Sequence, residues 1–176
     1  MKKLIILDLD ETLIHASHDI IHNDYDFIVG DYFVYQRPCL TEFLAFCFAH
    51  ADVAVWTSSG SWYADIVTQM IFTDEQRQAL RFIFSREKCV QRMDFYRYEN
   101  VYIKDLKKLK KRYSLEQMIM IDNSPEKLAR NYGNLVRVAD FTGQKDDTEL
   151  LNLMRYLPNL LNEPSVRTIE KRNWRL

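Results

Sequence analysis

Four apolar residues that run straight into two acids constrain this chain more than any other stretch. Leu4-Ile5-Ile6-Leu7 is unbroken by polar residues and is followed by Asp8-Leu9-Asp10-Glu11-Thr12. A short continuous apolar run suits a strand covered on both faces, as in a parallel sheet. Side chains two apart on an extended segment share a face, so Asp8 and Asp10 are expected to project together beyond the strand. Open α/β sheets place their ligand sites at that carboxyl end. Paired carboxylates beside a core repel and are costly to desolvate, and a divalent cation relieves both costs. The plainer reading, a solvated acidic turn, has to be weighed against the rest of the chain.

At 176 residues the chain is expected to form one domain with a substantial core. Its 24 basic and 25 acidic residues leave a net charge of −1, so no overall field recruits nucleic acid or an anionic membrane. Cys39, Cys47 and Cys89 are odd in number and lack metal-type spacing, which points to reduced thiols of an intracellular, soluble protein. The apolar run after the N-terminal lysines is too short for a signal peptide, and no stretch approaches a membrane span. Export by another route leaves no trace in composition, and oligomeric state is not legible at all.

Strand and helix patterns then alternate. Phe27-Ile28-Val29 and Tyr32-Phe33-Val34-Tyr35, separated by Gly30-Asp31, predict a β-hairpin insertion near residues 24–36. Pro38 is placed in the first turn of a helix whose core face is Leu40, Phe43, Leu44, Cys47 and Phe48. Asp52 to Trp56 predicts a second buried strand ending at Thr57-Ser58, with a helix after it. Thr73 is a capping candidate for a short helix, and Cys89 to Asn100 shows no regular pattern. Val101-Tyr102-Ile103 is expected to be a third buried strand, ending at Lys104. Gln117 to Ile121 is expected to be a fourth, ending at Asp122-Asn123, and Ser124-Pro125 reads as a helix start. A last strand is predicted over Leu135 to Val138, then a helix from about Asp146. Residues 1–165 are taken as the domain and 166–176 as a fraying tail. The expected fold is α/β: a Rossmann-like parallel sheet with helices on both faces.

What ends each strand turns this pattern into a site. Carboxylates and an amide oxygen form a hard oxygen cage suited to Mg2+, which keeps waters and takes further oxygens from a phosphate. Lys104 adds a cation, and Thr57 a hydroxyl, for phosphoryl oxygens. One carboxylate can attack phosphorus in line, while a second protonates the leaving alkoxide. Phosphomonoester hydrolysis needs accelerations of up to roughly 10²¹-fold, beyond what one acid or one cation supplies.

Asp8-Leu9-Asp10-Glu11-Thr12 resembles the first motif of haloacid-dehalogenase (HAD)-type phosphohydrolases. More narrowly, Asp8 through His15, Arg37-Pro38 with Glu42-Phe43-Leu44, Trp56-Thr57-Ser58, Tyr102 through Leu106 and Ile121 through Pro125 resemble the FCP/SCP-type phosphatases. These are the C-terminal-domain, or NLI-interacting-factor-like, enzymes. The resemblance implies a HAD fold with Asp8 as nucleophile and Mg2+ ligand. It implies Asp10 as general acid/base, binding the metal through its carbonyl. Thr57 and Lys104 would hold the phosphoryl group, and Asn123, with Asp122 beside it, would complete the metal site. The implied partners are phosphoserine or phosphothreonine proteins, notably the tail repeats of RNA polymerase II. Ser58, where relatives favour a small residue, adds a phosphate contact. Phe95, Tyr96, Arg97 and Tyr98, if they line the groove, favour phosphotyrosine instead.

About 44 residues separate Thr12 from Thr57, and about 46 separate Thr57 from Lys104. Neither interval holds a separate cap domain, since domains begin near roughly 50 residues. An open site favours phosphate on a macromolecule. Lys107, Lys108, Lys110, Lys111 and Arg112 are read as a solvated face, His15, His18 and His22 as loop histidines, and Arg86-Glu87 as a surface ion pair. The competing functions are a catalytically weak phosphoprotein-binding module and a small-molecule phosphomonoesterase. A receiver domain is disfavoured because Lys104 precedes the last acidic motif.

Overall fold

The structure is a computed structural model and describes residues 2–95 and 98–175. Its centre is a five-stranded, all-parallel sheet built from β1 (Leu4–Leu7), β5 (Asp52–Trp56), β6 (Ile83–Phe84), β9 (Met118–Asp122) and β10 (Leu135–Arg137). The spatial order is β10-β9-β1-β5-β6, with β1 pairing β5 on one side and β9 on the other. The chain leaves β1 towards one edge and later returns to fill the other. That reversal opens a crevice at the carboxyl end of β1.

Alternation along these strands separates two cores. Ile5, Leu7, Val53, Val55, Ile119 and Ile121 face one side, and Leu4, Ile6, Ala54, Trp56, Met118 and Met120 face the other. Three α-helices cover the first side: α1 (Leu40–His50), α2 (Ser61–Ile71) and α4 (Glu149–Asn162). The second side is covered by Leu106, Leu109, Leu115 and Leu128 from three single 3₁₀ turns, rather than by α-helices. A short helix, α3 (Asp74–Ala79), carries the expected Thr73 cap in a reciprocal capping box with Gln76. Pro38 stands two residues ahead of α1, and Cys39, in the left-handed region at φ 63°, turns the chain into it.

Two small antiparallel sheets are attached to this body. The hairpin β3 (Phe27–Val29) and β4 (Tyr32–Gln36) forms where expected, with Gly30 at φ 58° in its turn. A third strand, β2 (Ile14–Ser17), joins it along β4. The second small sheet corrects the sequence reading. Residues 90–94, read as irregular, form β7 (Val90–Asp94), which pairs antiparallel with β8 (Glu99–Ile103). The expected third core strand therefore lies in a separate ribbon, and Lys104 arrives from outside the central sheet. Within 95–98, Phe95 and Tyr98 are exposed, and Tyr96 and Arg97 lie outside the described residues.

The segment expected to fray is seated. Val166 and Trp174 are buried, and Trp174 Nε1 donates to the Arg137 carbonyl at 2.7 Å. Among the described residues, no helix is long and apolar enough to cross a membrane.

Candidate active site

The three middle strands of the sheet each deliver a polar residue to one rim. Asp8, Thr57 and Asp122 follow or end β1, β5 and β9, and all three are buried. Asp8 Oδ1 accepts from the Leu9 amide at 2.8 Å and from Lys104 Nζ at 2.9 Å. The same ammonium reaches Asp122 Oδ2 at 2.6 Å, so Lys104 bridges two buried carboxylates. Asp122 Oδ1 accepts from the Ser124 amide at 2.8 Å. Both oxygens of Asp122, an expected metal ligand, are thus engaged in orienting Lys104 and the turn after β9.

Burial pushes the Asp8 carboxyl up, but the charges of Lys104 and Lys127 and the two hydrogen bonds at Oδ1 reverse this. Asp8 ends below the usual carboxylate range. For Asp122, burial and the Asp8 charge win over the lysines and raise it to about 6. The pair is polarised, with Asp8 the member held ionised.

Lys127 escaped the sequence reading. It sits in the 3₁₀ turn Pro125–Leu128, where Ser124-Pro125 were expected to start a longer helix. Its Nζ lies 3.5 Å from Asp8 Oδ2, and its carbonyl accepts from the Lys104 amide at 2.8 Å. Burial alone would depress this ammonium; Asp8, Asp122 and Asp10 overcome that and raise it. Its position three residues after Ser124, one turn from the acidic motif, was the available signal.

Asp10 is held separately. Its Oδ2 accepts from Ser59 Oγ at 2.7 Å and its Oδ1 from the Tyr63 hydroxyl at 2.6 Å. Burial, and then the neighbouring Asp10 charge, raise the Tyr63 phenol, which keeps it a donor. Ser59 and Tyr63 were not among the expected site residues; their spacing of four places them on one side of the α2 entry. The loop itself is strained, with Glu11 at φ 55°. Arg37, buried at 1% exposure, ties this loop down by donating Nη1 to the Thr12 carbonyl at 3.0 Å. Its Nε and Nη2 grip both oxygens of Asp147 at 2.9 and 2.8 Å.

Thr57 Oγ1 accepts from the Ser59 amide at 3.0 Å, which leaves its hydroxyl proton free to donate. Helix α2 is capped at Gly60 without a side-chain bond, so Thr57 does not serve as its cap. Ser58 is half-buried, and its carbonyl accepts from Arg86 Nε at 2.8 Å. Arg86 therefore clamps the loop after β5 and stacks over Tyr102 at 4.9 Å, where a surface pair with Glu87 had been expected.

Among the described residues, no three His, Cys, Asp or Glu side chains cluster as a metal cage. The donor set suits a hard cation that needs fewer carboxylates. Asn123 Nδ2 is anchored to Asp140 Oδ1 at 3.0 Å, and its Oδ1 meets only the Thr12 and Ser124 hydroxyls, both at 3.3 Å. Among the described residues, Asp8 Oδ2 meets only Lys127. Two oxygens thus remain weakly used, which fits Mg2+ with a largely water and phosphate shell. Asp140 was not singled out from the sequence.

The chain is similar to Fcp1, described as an essential RNA polymerase II CTD phosphatase, with a TM-score of 0.60, 19% identity and coverage of 90% of this chain and 49% of that one. It is also similar to CbbY from Rhodobacter sphaeroides, at TM-score 0.55 and 13% identity over 87% of this chain and 96% of that one. The fold is the HAD-like α/β fold. The family model described as NLI interacting factor-like phosphatase matches residues 3–167, and the chain belongs to that family. A probable C-terminal domain small phosphatase from Dictyostelium discoideum is 32% identical, over 97% of this chain and 55% of its own length. CTD nuclear envelope phosphatase 1 from Xenopus tropicalis is 30% identical, over 98% and 72% respectively. The chain spans about a third to a half of the first three curated relatives it matches.

Proposed function

We propose that this chain is a Mg2+-dependent phosphoprotein phosphatase working through an aspartyl-phosphate on Asp8. One observation carries the reading: Asp8 is kept ionised with Oδ1 tied by an amide and an ammonium, while Oδ2 is left nearly free. A carboxylate held this way presents one fixed oxygen for in-line attack on phosphorus. Asp8, the Asp10 carbonyl and Asn123 would hold the metal, with Asp122 behind them securing Lys104. Bound there, Mg2+ neutralises phosphoryl charge and aligns the group for displacement.

Asp10 protonates the departing alkoxide and then takes a proton from the water that clears Asp8. Ser59 and Tyr63 fix the direction of its carboxyl through both steps. The Thr57 hydroxyl and Lys104, with Ser58 beside them, receive the phosphoryl oxygens. Two ammonium groups, Lys104 and Lys127, meet the charge that builds up as the group transfers. The substrate class, a phosphoserine, phosphothreonine or phosphotyrosine polypeptide, draws support from relatives named as phosphatases of a polypeptide C-terminal domain.

Asp8→Asn is expected to abolish turnover of p-nitrophenyl phosphate, by about 10⁴-fold or more, with an unchanged circular dichroism spectrum. EDTA is expected to silence the wild-type chain, and added Mg2+ to restore it. Full turnover in either case sinks the reading. Initial rates on phosphoserine, phosphothreonine and phosphotyrosine peptides rank the three substrates.

A further inference from the structure

A cleft of about 850 Å³ lies between β10 and the seated C-terminal segment. Five cations line it, Arg137, Arg167, Lys171, Arg172 and Arg175, against a single acid, Glu170. The whole chain carries a net charge of only −1, so this concentration is local. Two of the five are neutralised: Arg172 pairs with Glu170, and Arg175 with Glu149. The other three make no ion pair among the described residues.

Lys171 is the most telling. It is 8% exposed, and its Nζ donates to the Val166 and Ile169 carbonyls at 2.6 and 2.7 Å, leaving one N–H unused. Burial depresses this ammonium, Glu170 partly offsets that, and the Arg167 charge adds to the depression. A buried cation beside a second unpaired cation is costly unless an anion joins them. Arg167 is exposed at the mouth. Arg137 connects the cleft to the reaction site, because its Nε lies 3.3 Å from the carbonyl of Asn123. One wall is β10, the edge strand of the central sheet, whose Arg137 carbonyl is taken by Trp174 Nε1 and Arg175 Nη2. The Arg137 link to the Asn123 carbonyl favours a phosphate carried on the same polypeptide as the reacting one over a free polyanion.

We infer that this cleft is a docking site for a second phosphoryl group on a multiply phosphorylated polypeptide, held by Arg137, Arg167 and Lys171. The inference rests on the phosphatase reading only for the bound polypeptide being the substrate.

Fluorescein-labelled peptides with one phosphoserine, or with two set about eight residues apart (roughly 25 Å of extended chain), test it by anisotropy. The Asp8→Asn chain is used so that the phosphates survive. The doubly phosphorylated peptide is expected to bind about tenfold more tightly than the single one. Arg167→Glu should erase that gain and Arg167→Lys should keep it. In the Asp8 background, Arg167→Glu should leave p-nitrophenyl phosphate turnover within about twofold. Equal binding of the two peptides overturns the inference, as does a gain that survives Arg167→Glu. Displacement of the doubly phosphorylated peptide by single-stranded RNA at lower concentration than by unlabelled peptide also overturns it. A phosphate-dependent gain in a chain whose wild type hydrolyses nothing supports the cleft and refutes the phosphatase reading.

Discussion

The central sheet and the β7–β8 ribbon both hand a charged group to the same few ångströms, by opposite means. The strands that carry Asp8 and Asp122 are covered on both faces, with Leu4 to Leu7 and Met118 to Ile121 all at 0% exposure. The ribbon is half-exposed along most of its length, yet it ends in Lys104, which is also fully buried. Acids come from the rigid core, and their counter-ion comes from an attachment. A lysine inserted from outside can neutralise two carboxylates without occupying a place in the sheet.

Damage to the two regions should therefore separate. The largest effect is expected from Lys104→Ala, which removes the cation bridging Asp8 and Asp122 and leaves them only the more distant Lys127. Urea denaturation should show a loss of about 3–5 kcal/mol, and turnover should fall by about 10³-fold. Adding Asp122→Asn should recover much of the stability and none of the turnover. Wild-type stability in Lys104→Ala would break the comparison, since the ribbon would then not supply the buried counter-ion.

Next comes the anchor on the core side. Asp147→Ala strands the buried Arg37 guanidinium and is expected to cost about 3 kcal/mol at pH 7. Burial pushes the Asp147 carboxyl up, but the Arg37 hydrogen bond and the Glu149 amide outweigh it and lower it below 3.8. A carboxyl depressed on folding stabilises above its unfolded value, and that share is lost as pH falls through the folded one. The gap between wild type and variant should hold from pH 7 to about 4 and shrink below it, in melts taken across that range. A gap that is constant below pH 3 would contradict the pairing.

Arg86→Ala tests the join between ribbon and core, because it removes both the clamp on Ser58 and the stack on Tyr102. About tenfold in kcat/KM and under about 1 kcal/mol in stability is expected. The smallest effect belongs to Phe95→Ala at the ribbon's tip. Phe95 is 77% exposed, so stability should move by less than about 0.5 kcal/mol and p-nitrophenyl phosphate turnover not at all. A change in KM confined to peptide substrates would sharpen the ribbon's part in recognition.

Particular residues show how far the chain could be read without coordinates. Leu4 to Leu7 announced a core strand because both-face burial needs only consecutive apolar residues. Val101-Tyr102-Ile103 carried the same local signal and was misplaced, since pairing with Val90 to Asp94 is not written in those three residues. Arg86 looked like half of an ion pair because Glu87 is its neighbour in sequence. Its partner in space is the carbonyl of Ser58, twenty-eight residues away. Asp140 carries no pattern that sets it apart from surface charges, and Lys127 has only its place one turn after the acidic motif.

Periodicity and strand-end chemistry, which act over a few neighbouring residues, were enough to determine an α/β sheet and the acids at its rim. That Lys104 bridges both acids and Lys127 joins it, what holds Asp10, and where residues 166–175 lie were decided only by tertiary structure. Those contacts join residues far apart in the chain, and their energy comes from burying charge against charge, which no local pattern encodes.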